Sequence, residues 1–345
     1  MPLSLSGHLP GDRIAGPAPD CMLPVGAAPL SGPRPAPRAR FDLHGLIHGS
    51  YWDLPGTTPV AAGRPPEIIA LPGPVPPAPA DAPRIEDARI LSPGMMMLEA
   101  PDMRLLVEHG ARVTLDAPSI GEDLTRLVIG YAAGTLLLHQ LGRMPFHAAA
   151  AVGPAGAVLL LGDGGAGKST LAAMLARRGM ALVGDDMIAL AVGAAEGAPG
   201  GKVGLHRSMR TAKLWRDSAV AADAGAQTSR MAGLEKTVLA WDAPGPDIAF
   251  PAPLRAIVQL GWLHPRDAAP QITRIAPLQA LPRMRAAVAR AALVAPLGLA
   301  ALYLSRAASI LACVPFFTLD RPRNFAMADQ ALDLVAACVE TPERF

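Results

Sequence analysis

The chain has 345 residues, of which 51% are hydrophobic and 17% charged, with 31 Lys and Arg against 29 Asp and Glu for a formal charge of +2. That excludes wholesale disorder and provides for one large domain or two smaller ones. It also leaves neither the cationic excess nor the basic run with which proteins hold nucleic acid electrostatically. The cysteines, Cys21, Cys313 and Cys338, lie far apart with no C-x-x-C pair, so neither a disulfide framework nor structural zinc is expected. The opening residues lack the charged and apolar regions of a signal peptide. The longest apolar run, Ala291 to Leu304, has 14 residues and contains Pro296 and Gly298, against the roughly 20 residues of a spanning helix. A soluble cytoplasmic protein with no membrane partner is expected.

Nineteen of the 37 prolines fall in the first 85 residues. Proline cannot donate to a backbone ladder and favours extended geometry, so residues 1–84 read as a Pro-rich, largely irregular segment, relieved by an apolar stretch from Phe41 to Trp52. Short apolar runs at Met95–Leu98, Met103–Glu108 and Arg112–Leu115, broken by turn residues, predict an antiparallel meander. Ser119 followed by Glu122 reads as a capping box before a helix ending at Gly142. His139 within it reads as a surface or interface residue. The meander and this helix form a segment of their own, 85–144.

The remainder, 145–345, opens with apolar strands at Phe146–Val152 and Ala157–Leu161, a Gly-rich loop, a helix from Ser169 to Arg178, and a strand at Ala181–Val183. That alternation predicts parallel pairing. Further on, Ser208 to Ala222 reads as helix, with Trp215 in the core. Leu254–Leu260 reads as strand, Leu278–Leu304 as helix broken at Pro296, and Asp329–Cys338 as a terminal helix.

The loop Gly162-Asp163-Gly164-Gly165-Ala166-Gly167-Lys168-Ser169 satisfies G-x-x-x-x-G-K-[ST] and lies between a strand and a helix, where a phosphate-binding loop must lie. Its glycines let successive N–H groups face phosphate oxygens, and the helix N-terminus adds partial positive charge. Lys168 supplies a point charge for the β- and γ-phosphates, and the Ser169 hydroxyl a ligand for Mg²⁺. The same glycines satisfy G-x-G-x-x-G, but a dinucleotide site has no use for Lys-Ser at the helix start.

Asp185 and Asp186 follow Lys168 by 17 and 18 residues at the end of an apolar strand. Two adjacent carboxylates there require a counter-charge. One could cap structure; alternatively, one holds Mg²⁺ and its waters while the other takes the proton of an attacking hydroxyl. His147 lies on the strand before the loop. Asn324 is the only asparagine, so the N-K-x-D guanine reader of GTPases is absent. Among the four lysines, Lys236 is a candidate phosphate or substrate contact. Arg207 and Arg210 read as a solvated helix end.

The order Phe146-His147-Ala, Gly162 to Thr170, Arg178-Gly179 and Leu182-Val-Gly-Asp-Asp186 resembles the catalytic domain of HPr kinase/phosphorylase, and more closely the bacterial HPr-kinase-related proteins found near peptide-modification genes. The likeness is specific over 145–190. It extends through Lys213-Leu-Trp215, Glu235-Lys236 and Pro253–Val258. The resemblance implies an α/β P-loop fold of the phosphoenolpyruvate carboxykinase type and Mg·ATP-dependent phosphorylation of a protein serine. By position it makes Gly162–Thr170 the nucleotide site, Ser169 and Asp185 the Mg²⁺-associated groups, Asp186 the general base and His147 its neighbour. Gly164 stands where the family usually has serine, and the family's own N-terminal domain is replaced by the Pro-rich stretch. The expected partners are ATP, a protein or peptide acceptor still to be identified, and a second copy of the chain as an open alternative. A small-molecule kinase and a non-catalytic ATP sensor are the rival readings.

Overall fold

Leu159 and Leu160 are each fully buried, on opposite faces of one strand, and that strand organises the C-terminal half of the molecule. The computed structural model describes residues 36–345 apart from 62, 216–217, 219–227, 232–236, 242–247 and 266–267; the reading made for Lys236 lies outside them. Residues 35–345 form one unit, a mixed α/β structure with three sheets.

The first sheet has nine strands: β1 (Ala39–Leu43), β2 (Leu46–Ser50), β3 (Thr58–Pro59), β4 (Ile68–Pro72), β5 (Arg84–Ile85), β6 (Ala88–Ser92), β7 (Met95–Ala100), β8 (Met103–Glu108) and β9 (Arg112–Asp116). Their order is β3-β1-β2-β4-β9-β8-β7-β6-β5. The meander appears as read over β7 to β9, joined antiparallel, and β6 extends it by one further antiparallel strand. The irregular segment expected through residue 84 is corrected between Ala39 and Pro72. There β1 and β2 form a hairpin, and β2 and β4 run parallel into β9. The prolines of this stretch fall mostly between strands, so enough N–H groups remain to build the ladder. Residues 73–83 carry no regular element but are fastened, Val75 N–H to Asp116 and Ala78 N–H to Glu99, both at 3.1 Å.

A helix packs on this sheet in three stretches: α1 (Glu122–Leu127), a π-helical turn (Val128–Ala133) and α2 (Gly134–Gln140). Its N-cap is Gly121, with no side-chain cap, so the Ser119 capping box is corrected. His139 is buried, not exposed. Its ring nitrogens meet the Tyr303 hydroxyl at 3.0 Å and the Ala289 carbonyl at 2.9 Å.

The second sheet is built from β10 (Pro145–Phe146), β11 (Ala149–Gly153), β12 (Gly156–Leu161), β13 (Ala181–Gly184), β14 (Ile188–Val192), β15 (Val203–Leu205), β19 (Ala252–Leu263), β20 (Gln271–Ile275) and β21 (Phe316–Pro322). Strand β12 is apolar on both faces because helices cover both. On one side Val158 and Leu160 meet α3 (Lys168–Arg177) and α6 (Ala328–Glu340). On the other, Leu159 and Leu161 meet α4 (Pro277–Ala286) and α5 (Ala300–Cys313). The expected 146–152 strand is broken. Phe146 pairs with β14, His147 N–H turns aside to the Ala287 carbonyl at 2.8 Å, and the chain resumes as β11.

The expected parallel pairing of β13 with β12 is also corrected. The hairpin through Gly153–Gly156 puts β11 beside β12, so β13 pairs antiparallel with β11. Strands β12 and β13 keep one direction but lie one strand apart. The expected 208–222 helix begins instead as β16 (Thr211–Leu214), which joins β18 (Thr237–Trp241) and β17 (Thr228–Met231) in the third sheet. Ala212 and Leu214 are buried against α3 with the period of a strand. The break expected at Pro296 spans the whole stretch between α4 and α5. Among the described residues no helix is long and apolar enough to cross a membrane.

Three buried histidines gather where the first sheet meets the chain after β15. His44, His48 and His206 keep ring nitrogens without hydrogen-bond partners. Burial pushes His48 down to about 4, burial and Arg143 push His206 to about 4, and His44 is lowered too. The unfolded chain takes up these protons near pH 6.5, so the folded state loses ground as pH falls from 6.5 toward 4, by roughly 1.4 kcal/mol per pH unit for each histidine. Urea unfolding at pH 7 and pH 5 should show that loss, and His48→Phe should flatten the slope; an unchanged slope in the variant would assign the loss elsewhere.

Candidate functional site

The topology places three sequence-predicted features at one end of the second sheet. Because β12 and β13 run the same way, the Gly162–Ser169 loop and the Asp185-Asp186 pair both leave the sheet there. The antiparallel β11 between them begins at the same end, which brings in His147. Strands β19 and β21 run parallel to β12 and deliver Trp262 and Arg321.

A cavity of about 570 Å³ opens there, lined by His147, Gly164, Gly165, Gly167, Lys168, Ser169, Thr170, Asp185 and Asp186, together with Lys213, Trp215, Trp262, Arg321 and Phe325. The volume is that of a small-molecule site. A larger groove of about 760 Å³, lined by Arg38, Tyr51, Trp52, Asp53, Asp116 and Glu122 among others, has no Gly-rich loop and only one cation among these side chains. It is not the candidate.

Within the loop, Lys168 is buried and its Nζ donates to the carbonyls of Gly162 at 2.7 Å and Asp163 at 3.2 Å. Asp163 therefore contributes its backbone, while its side chain is exposed. Ala166 is buried beneath the loop, and Arg321 Nη2 donates to its carbonyl at 2.7 Å. Gly167 has φ +82°, and a Cβ there would stand 2.5 Å from Arg321 Nη2. Burial pulls the Arg321 guanidinium down to about 10, and its Nε has no partner.

The two carboxylates divide by environment. Asp185 is buried, and its Oδ2 accepts the Lys213 N–H at 3.0 Å. Burial raises it above the ordinary carboxylate range, against the lowering effect of the Lys213 N–H and the Ser169 hydroxyl. Asp186 is only partly covered and has φ +75°, a left-handed conformation of the kind that gathers at functional sites. Burial alone would raise its carboxyl too. The Lys213 ammonium, with His147 and Lys168 behind it, outweighs burial and holds it below the ordinary range. Asp186 Oδ2 is ion-paired to Lys213 Nζ, and Oδ1 lies 3.3 Å from His147 Nδ1.

Three other readings are revised. Trp215 is half-exposed at the cavity and not in the core. Arg207 lies 3.5 Å from Asp42 and stacks on Phe250, and Arg210 Nε donates to the Gly56 carbonyl at 3.1 Å; both tie the molecule together and are not a solvated helix end. Arg321 was not singled out in the sequence, and Lys213 appeared only in the Lys213-Leu-Trp215 stretch of the resemblance, with no role attached. The scarcity of lysine was a signal for Lys213. Nothing local distinguished Arg321 from the chain's other arginines.

No family model and no curated protein matches the chain. Among solved structures, the HPr(Ser) kinase/phosphatase from Coxiella burnetii matches at 14% identity over 58% of this chain and 95% of that one, with a TM-score of 0.27. At that score the likeness adds no weight to the side-chain geometry.

Gly165 also has a positive φ, +80°, but open space around its Cβ position. Gly165→Ala should therefore lose about 1–2 kcal/mol from backbone strain alone. Gly167→Ala should lose measurably more in urea unfolding, because it also displaces Arg321. Equal losses would show that the Arg321–Ala166 contact contributes nothing.

Proposed function

We propose that the protein is a Mg·ATP-dependent kinase that phosphorylates a serine hydroxyl on a protein or peptide. The observation that supports this best is the meeting, around one cavity, of a Gly-rich loop with Lys168 and Ser169 on one side and the Asp185-Asp186 pair with His147 on the other. A Gly-rich loop between a buried strand and a helix opened by Lys168-Ser169 supports a P-loop reading. An α/β P-loop domain of the HPr kinase type is the fold class that fits, and a cytoplasmic setting fits ATP as donor.

The donor set suits Mg²⁺. It is a hard cation, usually held by one or two carboxylates, phosphates and water. The Ser169 hydroxyl and the Asp185 carboxylate, which line the same cavity, supply such oxygens. Among the described residues no group of three His, Cys, Asp or Glu side chains makes a metal cage, so phosphate and water oxygens would complete the shell. Bound there, Mg²⁺ would neutralise charge on the transferring phosphoryl group.

The residues take separate tasks. Lys168 exchanges the Gly162 and Asp163 carbonyls for β- and γ-phosphate oxygens, joined by loop N–H groups. Arg321, desolvated beside the loop, adds a second cation facing the phosphates. Asp186, ionised and less buried than Asp185, takes the acceptor proton as the hydroxyl oxygen attacks. The half-exposed Trp215 and Phe325 offer apolar surface to a polypeptide acceptor.

The test is transfer of labelled γ-phosphate from Mg·ATP into a lysate of the source cell, and separately into free amino acids. Wild type should label a polypeptide, and Lys168→Ala should abolish labelling. Asp186→Asn should keep ATP binding while transfer falls about 10²–10⁴-fold. Label on an amino acid alone would make the protein a small-molecule kinase. ATP binding without transfer would make it a sensor.

A further inference from the structure

Lys213 is one of four lysines in the chain, and its contacts are unusual for a surface cation. Strand β16 sends Ala212 and Leu214 into the core and leaves Lys213 on the cavity side. There a single residue grips both acids: its main-chain N–H donates to Asp185 Oδ2 at 3.0 Å, and its Nζ pairs with Asp186 Oδ2. Below, Nζ lies 4.0 Å from the centroid of the Tyr131 ring.

Tyr131 belongs to the π-helical turn. Such turns insert one residue into a helix and are frequent at functional sites. This one is fastened on both sides. The Tyr131 hydroxyl bonds the Thr211 hydroxyl at the start of β16, and its carbonyl accepts the Thr135 hydroxyl at 2.7 Å. Beside it, a Cβ on Gly130 would fall 2.0 Å from Met209 Sδ, so any larger residue there would displace the buried Met209 side chain on the chain leading into β16. An aromatic face attracts the ammonium without offering it a hydrogen-bond acceptor. The proton-donating side of Lys213 is thereby turned to the carboxylate.

We propose that Lys213, seated on the Tyr131 face, is the positioning residue for the base: it holds Oδ2 of Asp186 so that Oδ1 is the oxygen presented to the acceptor. The inference rests on the kinase reading above. Oδ1 is the freer oxygen, since its contact with His147 Nδ1 is 3.3 Å, long for a charge-assisted hydrogen bond. In the step, the acceptor proton passes to Oδ1, the hydroxyl oxygen bonds the γ-phosphorus, and the bond to the β,γ-bridging oxygen breaks with its electron pair leaving on ADP. A carboxylate free to rotate would offer that oxygen in the right direction only part of the time, lowering turnover and leaving nucleotide binding alone.

The test uses the full chain and four variants, with initial rates of labelled γ-phosphate transfer to the lysate acceptor band at graded Mg·ATP, and Mg·ATP affinity by calorimetry. Lys213→Met should lower the rate at saturating ATP by about tenfold or more while the ATP affinity moves less than about threefold, a turnover effect with binding spared. Lys213→Arg should recover most of the rate. Tyr131→Phe, which keeps the ring face and loses the Thr211 bond, should stay within about threefold of wild type. Tyr131→Leu should resemble Lys213→Met. A Lys213→Met enzyme with wild-type turnover, or one whose loss lies in ATP affinity, overturns the inference, as does equal damage from Tyr131→Phe and Tyr131→Leu. A crystal structure of Lys213→Met separates this claim from the kinase reading. An Asp186 carboxylate that keeps its orientation without the lysine refutes the clamp whether or not wild type transfers phosphate, whereas absence of transfer by wild type refutes the kinase reading alone.

Discussion

Two neighbouring carboxylates at the end of a buried strand set the terms for everything around them. An isolated pair of this kind would not stay charged in a protein interior, and the chain offers only four lysines to balance it. Two of those four, Lys168 and Lys213, line the same cavity as the acids, with Arg321 and His147. The result is not two equivalent acids. Asp185 is sunk among the Lys213 N–H and the Ser169 hydroxyl and is raised by burial; Asp186 faces the ammonium and is lowered. Environments that push two titratable groups apart are how a site assigns different work to identical side chains. Here the more buried acid stands next to the Ser169 hydroxyl and the more accessible one next to open cavity.

The strand order explains how these groups meet. Had β13 paired directly with β12, as the β-loop-α-β rhythm implies, the loop and the acids would be adjacent but nothing would lie between them. The β11–β12 hairpin takes that position, and because β11 runs the other way it starts where its neighbours end. His147, at the break before β11, is thereby set against Asp186. The break is therefore part of the site, and the local pattern of Phe146-His-Ala-Ala-Ala-Ala-Val152 contains no turn residue that would announce it.

This contrast marks what was legible in the sequence. The Gly162–Ser169 loop could be read because its chemistry is local: strand, glycines and Lys-Ser occupy consecutive positions. The Asp185-Asp186 pair could be read for the same reason, and so could the β7–β9 meander, whose turns lie within the segment. What escaped was set at long range. Strands β1 and β2 looked like part of a proline-rich arm because prolines flank their hairpin and the strands that extend it into a sheet lie at residues 58–59 and 68–70. Residues 211–214 looked helical although their partner is β18. Arg321 became notable only when β21 was placed beside β19. His139 read as a surface or interface residue, and its burial followed only from Tyr303, 164 positions later, which bonds it.

The first sheet is consequently more than an appendage to the second. It touches the site through the chain that carries Lys213. His44 N–H donates to the Arg207 carbonyl at 2.8 Å, Arg210 N–H to the Gly56 carbonyl at 3.2 Å, and Arg207 lies 3.5 Å from Asp42. Residues 206–210 are thus pinned to β1 and the turn before β3 immediately upstream of β16. The helix resting on the same sheet supplies Tyr131 from the opposite direction. A lysine on a short four-residue strand would otherwise have its register set by β18 alone. Held from both sides, it presents its main-chain N–H and its ammonium to two successive acids at once. That requires backbone and side chain to be fixed together, and the N-terminal strands do part of that fixing.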